Sequence, residues 1–201
     1  MKSTTLRQDV RDSILDAAER LFRRYGYKKT TIDDLAREAG IGKGTVYLYF
    51  DSKESVALSV VDLEFDRIRD RLQRIGRSRG QPAARLRQML VERVMLRFDA
   101  AAGYSQTLDE VFSDVRIPFL ERRERFLMIE AQVCAEVLLE GRQQEIFEFE
   151  DAVQTAMLLM RATGSLLPLT LTPHQMSRRE EIQETAGQIA DLLLRGLLKR
   201  G

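Results

Sequence analysis

The sequence predicts an all-α fold of about nine helices, on three observations. Helix-forming residues abound, whereas glycine and proline, which interrupt helices, number only 12 and 4 among 201 residues. Apolar residues recur three and four positions apart, as on one face of a helix. Runs of strict apolar–polar alternation bounded by turn residues are missing, so the sequence offers no strand.

The first helix carries Val10, Ile14, Ala17, Ala18, Leu21, Phe22 and Tyr25 on one side and stops at Gly26. A short second helix, about 31–39, buries Ile32, Leu35, Ala36 and Ala39, with Thr31 and Asp34 spaced as an N-terminal cap. Gly40 stands where a helix ends in the left-handed region, and Ile41 follows as an apolar plug. The third helix, about 43–49, turns Val46 and Phe50 inward at i, i+4. Asp51 with Glu54 opens a fourth, about 53–75, with Val61, Phe65, Ile68, Leu72 and Ile75 on one face. The segment Gly76–Pro82 joins it to a helix over 84–102 that breaks at Gly103. Pro118 breaks the chain again, and a helix over 119–140 runs to Gly141. Its stripes Phe126, Ile129, Val133, Val137 and Leu127, Ala131, Cys134, Leu138 lie side by side, a face wide enough to be deeply embedded. Ala152–Leu167 is apolar around most of its circumference. Thr172 before Pro173 suits a cap followed by proline at the first helical position, and Ser177 with Glu180 opens the last helix.

Charge narrows the function classes. The formal net charge is +1, which by itself argues against a strongly basic nucleic-acid binder. Yet Met1 to Lys53 holds five lysines and six arginines against eight acidic residues, a net +3, which leaves −2 for the other 148. One cysteine, Cys134, permits neither an intrachain disulfide nor a cysteine-based zinc site, as suits a reducing compartment. The opening MKSTTLRQDVRDS has no apolar core of a signal peptide, and no apolar run is long enough to span a membrane. A cytoplasmic location is expected. One histidine, His174, no nucleophile–base constellation, no glycine-rich phosphate loop and no metal-ligand spacing make an enzyme, a cofactor or a metal site unexpected.

The informative stretch is TTIDDLAREAGIGKGTVYLYFDSK, from Thr30 to Lys53. Two short helices joined by a tight glycine turn form a helix-turn-helix, whose second helix is offered to a DNA major groove. Lys43 can donate to guanine or phosphate, and Gly42 and Gly44 let backbone N–H groups approach the duplex. Thr45 offers a hydroxyl and a methyl, and Tyr47 and Tyr49 offer phenols, unless they pack in the core.

From Ile14 to Val61 the chain resembles the TetR (tetracycline repressor) family of bacterial transcriptional regulators. The amphipathic first helix ends in the aromatic–glycine segment Phe22 to Tyr27. Thr-Ile precedes the second helix, Ala-Gly-Ile forms the turn, Gly-Thr-Val-Tyr-Leu-Tyr-Phe forms the recognition helix, and Lys53 opens the fourth helix. The resemblance implies that Thr31 and Lys53 hold phosphates, that Lys43, Gly44 and Thr45 lie near base edges, and that Tyr47 and Tyr49 line the DNA backbone or groove, with Thr30 a further DNA-binding candidate. Gly44 departs from members with a side chain there, which weakens base readout at that point.

The resemblance also implies a DNA-binding domain over 1–53 and a helical ligand-binding and dimerisation domain over 54–201. Pocket candidates are Met89, Met95, Phe98, Tyr104, Phe112, Phe126, Met128 and Met157, against the alternative of plain core packing. Ala156, Met160, Gly164, Ala186, Ile189, Ala190, Leu193 and Leu197 are candidates for a dimer face. Arg161, a lone charge among apolar neighbours, is expected to pair across a dimer, hold an anionic ligand group or reach water. Arg93 and Arg97, at i, i+4, could bind an acid, but a solvated face is expected. The expected function is a homodimeric repressor that binds a palindromic operator in double-stranded DNA and is released by an unknown small-molecule ligand. The alternative is a DNA-binding regulator or architectural protein without an inducer, controlled by a protein partner.

Overall fold

The computed structural model describes residues 2–102, 108–168 and 171–199. Among these, nine α-helices follow one another: α1 (Lys2–Tyr25), α2 (Ile32–Glu38), α3 (Lys43–Tyr47), α4 (Lys53–Gly76), α5 (Pro82–Ala102), α6 (Leu108–Gln143), α7 (Ala152–Ala162), α8 (Pro173–Met176) and α9 (Arg179–Arg195). A short 3₁₀ turn, Thr163–Leu166, extends α7. The all-α expectation is met.

The chain forms two compact units, Met1–Glu64 with Gly103–Arg122, and Phe65–Ala102 with Arg123–Gly201. In the first, α1 turns Ile14, Leu15, Ala18, Leu21 and Phe22 onto Leu35 of α2, Val46 of α3, and Val56 and Val60 of α4. Each large aliphatic or aromatic side chain so buried contributes about 1.5–3 kcal/mol relative to exposure. That burial holds α2 and α3, two helices too short to persist alone in water. In the second unit the larger cluster joins Leu72 and Ile75 of α4, Leu86, Met89 and Leu90 of α5, Cys134 and Leu138 of α6, Ala156 and Met160 of α7, and Leu194 of α9. A smaller one holds Val94, Met95, Phe98, Leu166, Ile182 and Ala186.

Several boundaries differ from the sequence expectation. Helix α6 runs through Pro118 instead of breaking there. Proline costs the helix its own N–H bond and a clash of its ring with the carbonyl four residues before, and the turns on either side carry the helix across. The helix also passes Gly141 and ends at Gln143. Gly141 is there for packing: a Cβ would stand 2.2 Å from the Phe147 ring. At the start of α4, Ser52 and Ser55 exchange backbone and hydroxyl bonds of 3.2 Å, in place of the Asp51–Glu54 cap. Residue Arg178 occupies the N-cap of α9 without a side-chain bond to the first N–H groups, and the Ser177 hydroxyl donates instead to the His174 carbonyl behind it. Thr172 and Gln175 form the cap expected ahead of Pro173.

Arg93 and Arg97 do not form a solvated face. Both side chains turn inward on α5 and meet Glu130 of α6 at 2.6 and 2.7 Å, a carboxylate that the sequence reading had not paired with them.

Candidate nucleic-acid interface

The geometry of the helix-turn-helix follows from two end signals. At the start of α2 the Thr31 hydroxyl accepts from the Asp34 N–H at 3.2 Å and donates to the Asp34 carboxylate at 2.7 Å. The same carboxylate accepts from the Thr31 N–H at 3.0 Å. This reciprocal box satisfies two N–H groups that a helix start leaves without partners. The Thr31 hydroxyl, its N–H and the nearby Arg37 guanidinium hold the Asp34 carboxyl below the usual carboxylate range. At the other end Gly40 takes φ +69°, a conformation that a Cβ strains. The Ile41 N–H then reaches the Ala36 carbonyl at 2.9 Å and the Gly40 N–H the Arg37 carbonyl at 3.2 Å. These two bonds are the Schellman pattern, and they reverse the chain within three residues so that α3 starts at once.

On α3, Val46 and Phe50 are buried as the spacing requires, and Lys43, Gly44 and Tyr47 are exposed with Thr45 and Tyr49 partly so. The N-cap Gly42 offers no side-chain bond to the first N–H groups. A Cβ on Gly44 would meet nothing within 4 Å, so no internal contact requires a glycine there. Lys43 Nζ donates to Asp33 at 2.7 Å, which raises the pKa of the ammonium first through that bond and then through the charge. Both partners are exposed, so solvent screens the pair and a phosphate competes for the lysine easily. Leu48, 81% exposed, is a further outward residue that the sequence reading missed. It lies off the inward Val46–Phe50 stripe, and that position on a three-residue turn was the available signal.

The flanking residues divide differently from expectation. Lys53 Nζ donates to the carbonyls of Tyr27 and Thr30 at 3.0 and 3.1 Å and sits 4.2 Å from the centre of the Tyr27 ring. It ties the 27–30 turn to the start of α4. Thr30, a DNA-binding candidate in the sequence, is only 2% exposed, and its hydroxyl donates to the Gly26 carbonyl at 2.8 Å. Its side chain closes that turn and has no donor left to offer a duplex.

In the second unit the pocket candidates are dispersed. Met89 and Met157 belong to the larger core cluster, and Met95 and Phe98 to the smaller one. Phe126 stacks on Phe65 at 4.6 Å, whereas Met128 is exposed. Tyr104 and the side chain of Phe112 lie outside the described residues. An open groove of about 520 Å³ between α5 and α9 is lined by Arg87, Val91, Glu180, Gln183, Glu184, Gly187, Gln188 and Asp191, and none of the pocket candidates lines it. Arg161 lies on an exposed side of α7 and pairs with Glu124 of the same chain at 2.9 Å. Of the dimer-face candidates, Ala156, Met160, Ala186 and Ala190 are buried in the chain's own core clusters. Gly164, Ile189, Leu193 and Leu197 remain partly exposed. The large apolar side chains that stand out on α7 and α9 are Leu158 and Leu192, 66% and 67% exposed.

Comparison with known proteins adds to this geometry. Residues 14–60 match the family model described as bacterial regulatory proteins, tetR family. The chain is 30% identical over 138 residues to the A-factor receptor protein of Streptomyces griseus, covering 63% of this chain and 50% of that protein. It is 42% identical over 57 residues to IcaR of Staphylococcus aureus (strain Newman), the negative transcriptional regulator of the biofilm operon icaADBC, covering 28% of this chain and 31% of IcaR. The chain spans between 25% and 50% of the length of the curated relatives it matches. Its fold is similar to that of a crystallised transcriptional regulator from Cytophaga hutchinsonii, with TM-score 0.75, 21% identity and coverage of 92% of this chain and 97% of that one.

Proposed function

We propose, from the match of residues 14–60 to the family of bacterial regulatory proteins described as tetR, that this chain is a TetR-family regulator acting as a homodimeric repressor, released from a palindromic operator by a small-molecule ligand. The observation that carries the reading is the capped α2–Gly40–α3 unit, which presents Lys43, Gly44, Thr45 and Tyr47 on one short outward helix. A helix so presented fits the major groove, with Lys43 and Thr45 at base edges and Tyr47, Tyr49, Thr31 and the α3 start along the phosphates. Lys53 supports them by holding the 27–30 turn, with one ammonium hydrogen left for a phosphate.

IcaR is named a negative regulator, which supports repression, and one relative is named a receptor, which supports a ligand. Leu158 and Leu192 support a two-fold contact through α7 and α9, since such large apolar side chains are costly to leave in water. A dimer sets two recognition helices about 34 Å apart, one turn of DNA. A regulator that works on DNA needs no catalytic site, and a cytoplasmic location accords with this reading. No described helix is long and apolar enough to cross a membrane, and among the described residues no cluster of three metal-ligating side chains is found.

The test uses duplexes selected in vitro by the purified chain. Lys43→Ala and Tyr47→Ala are each expected to weaken operator binding at least tenfold, with the elution volume on a sizing column unchanged. Affinity should also fall steeply as salt rises, because each phosphate contact releases counterions. Operator affinity unaltered in both variants would overturn the assignment of α3 as the reading helix.

A further inference from the structure

The second unit holds a buried surplus of positive charge. Glu130, 0% exposed, receives Arg93 Nε on one carboxylate oxygen at 2.6 Å and Arg97 Nη2 on the other at 2.7 Å. Arg93 is further used, since its Nη1 donates to the Met160 carbonyl at 3.3 Å. Arg97 is not: its Nε is buried and donates to nothing among the described residues, although the side chain is only 9% exposed. Its guanidinium lies 4.6 Å from the centre of the Phe65 ring, which stacks on Phe126. Arg123 of α6 stands close enough to add a third positive charge to the same locale. Burial chiefly, then Arg93 and Arg123, pull the Arg97 pKa down to about 10 against the opposing pull of Glu130, so it remains charged at neutral pH.

A structural role accounts for part of this cluster. One arginine balances one carboxylate, and Arg93 also closes a backbone carbonyl. It leaves two arginines sharing one buried carboxylate, with Arg123 near them, and among the described residues a buried Arg97 Nε–H without an acceptor, which costs stability. A guanidinium with free N–H donors in an apolar surround is a site for a carboxylate, which it can bind through paired charge-assisted bonds. The surround is aromatic, with Phe65 against the guanidinium and Phe126 stacked on Phe65, both buried. A small inorganic anion would lose its hydration there without an apolar contact to offset the loss.

We propose that Arg97, supported by Arg93 and Arg123, binds the carboxylate of an organic acid with an apolar body, and that such an acid is the effector class of this chain. The identification as effector rests on the reading of the second unit as ligand-sensing; the anion site itself rests on the charge cluster alone. Arg161, the sequence candidate for holding an anion, is exposed and paired with Glu124, so this role falls to Arg97.

The experiment titrates the full chain, without DNA, with straight-chain carboxylates from acetate to dodecanoate and with alcohols of equal length, at fixed ionic strength. At least one acid is expected to saturate, and the matching alcohol to bind tenfold or more weakly. Arg97→Met leaves the Arg93–Glu130 pair balanced and is expected to lower acid affinity at least tenfold. The less buried Arg123→Gln should lower it several-fold, and its circular dichroism melt checks that the fold is kept. The site is overturned if no acid saturates below about 10 mM, if acids and alcohols bind alike, or if Arg97→Met binds the acid unchanged. Operator binding is read separately. An acid held through Arg97 that leaves operator occupancy unchanged supports the anion site and overturns its effector role. Operator release by an acid that Arg97→Met does not blunt overturns the site while ligand-controlled release stands.

Discussion

Glu130 keeps a negative charge where burial alone would neutralise it. Desolvation pushes its carboxyl up, and the Arg97 and Arg93 guanidiniums together outweigh that and hold it below the ordinary glutamate value of 4.5. A depressed folded pKa means that the group's contribution to stability is complete above the unfolded value and is lost as pH falls through the folded one. Urea melts between about pH 3 and 7 should therefore show an acid limb beginning below about 4.5. Glu130→Gln should flatten that limb and lower stability at pH 7 by roughly 3–5 kcal/mol, because two buried guanidiniums lose their counter-charge. An acid limb unchanged by the substitution would show that other carboxylates govern it. At this scale the sequence was a partial guide. Thr31 and Asp34 announce their cap because partner and spacing are local. Arg93 and Arg97 look the same on a wet face and in a core, and their partner lies 37 and 33 residues away, respectively.

At the scale of the element, end signals and interior signals differ in how well they read. Gly40 and the apolar Ile41 behind it are sequence marks of a helix end, and the structure uses both in two short backbone bonds. Gly141 and Pro118 carry the same letters and end nothing. Gly141 makes room for Phe147, whose neighbour Glu148 donates its N–H to the Leu197 carbonyl at 2.9 Å and so ties the end of the chain down. Gly141→Ala is expected to cost about 1–3 kcal/mol through overpacking, measured as a lower midpoint in thermal or urea melts. Helix propensity predicts the opposite sign, a gain of about 0.5–1 kcal/mol. The measured direction therefore decides between packing and propensity as the reason for this glycine.

For the whole molecule, the uneven charge acquires a meaning that the net +1 conceals. The basic first 53 residues include the outward Lys43, and the acidic remainder is suited to staying off a duplex. The proposed dimer makes a separate prediction. Leu158→Asp and Leu192→Asp together should convert a dimer to a monomer in sedimentation or light scattering and weaken operator binding with it, while helix content stays constant. Both side chains are largely in water in the single chain, so the change should not disturb its core. A dimer that persists in the double variant would place the two-fold contact elsewhere.

The sequence by itself determined the all-α class and the helix-turn-helix with its resemblance to a known family, because these rest on local periodicity, on caps and on a turn whose residues are contiguous. The inward placement of Val46 and Phe50, and hence the outward placement of Lys43 and Tyr47, followed from helix geometry alone. Only the tertiary structure decided which faces of α5, α7 and α9 were already covered. It took Ala156, Met160, Ala186 and Ala190 into the core, left Leu158 and Leu192 outside, and closed Thr30 into a turn. It also assembled Arg93, Arg97 and Glu130, since a buried charge is defined by partners brought from other helices and no periodicity records them.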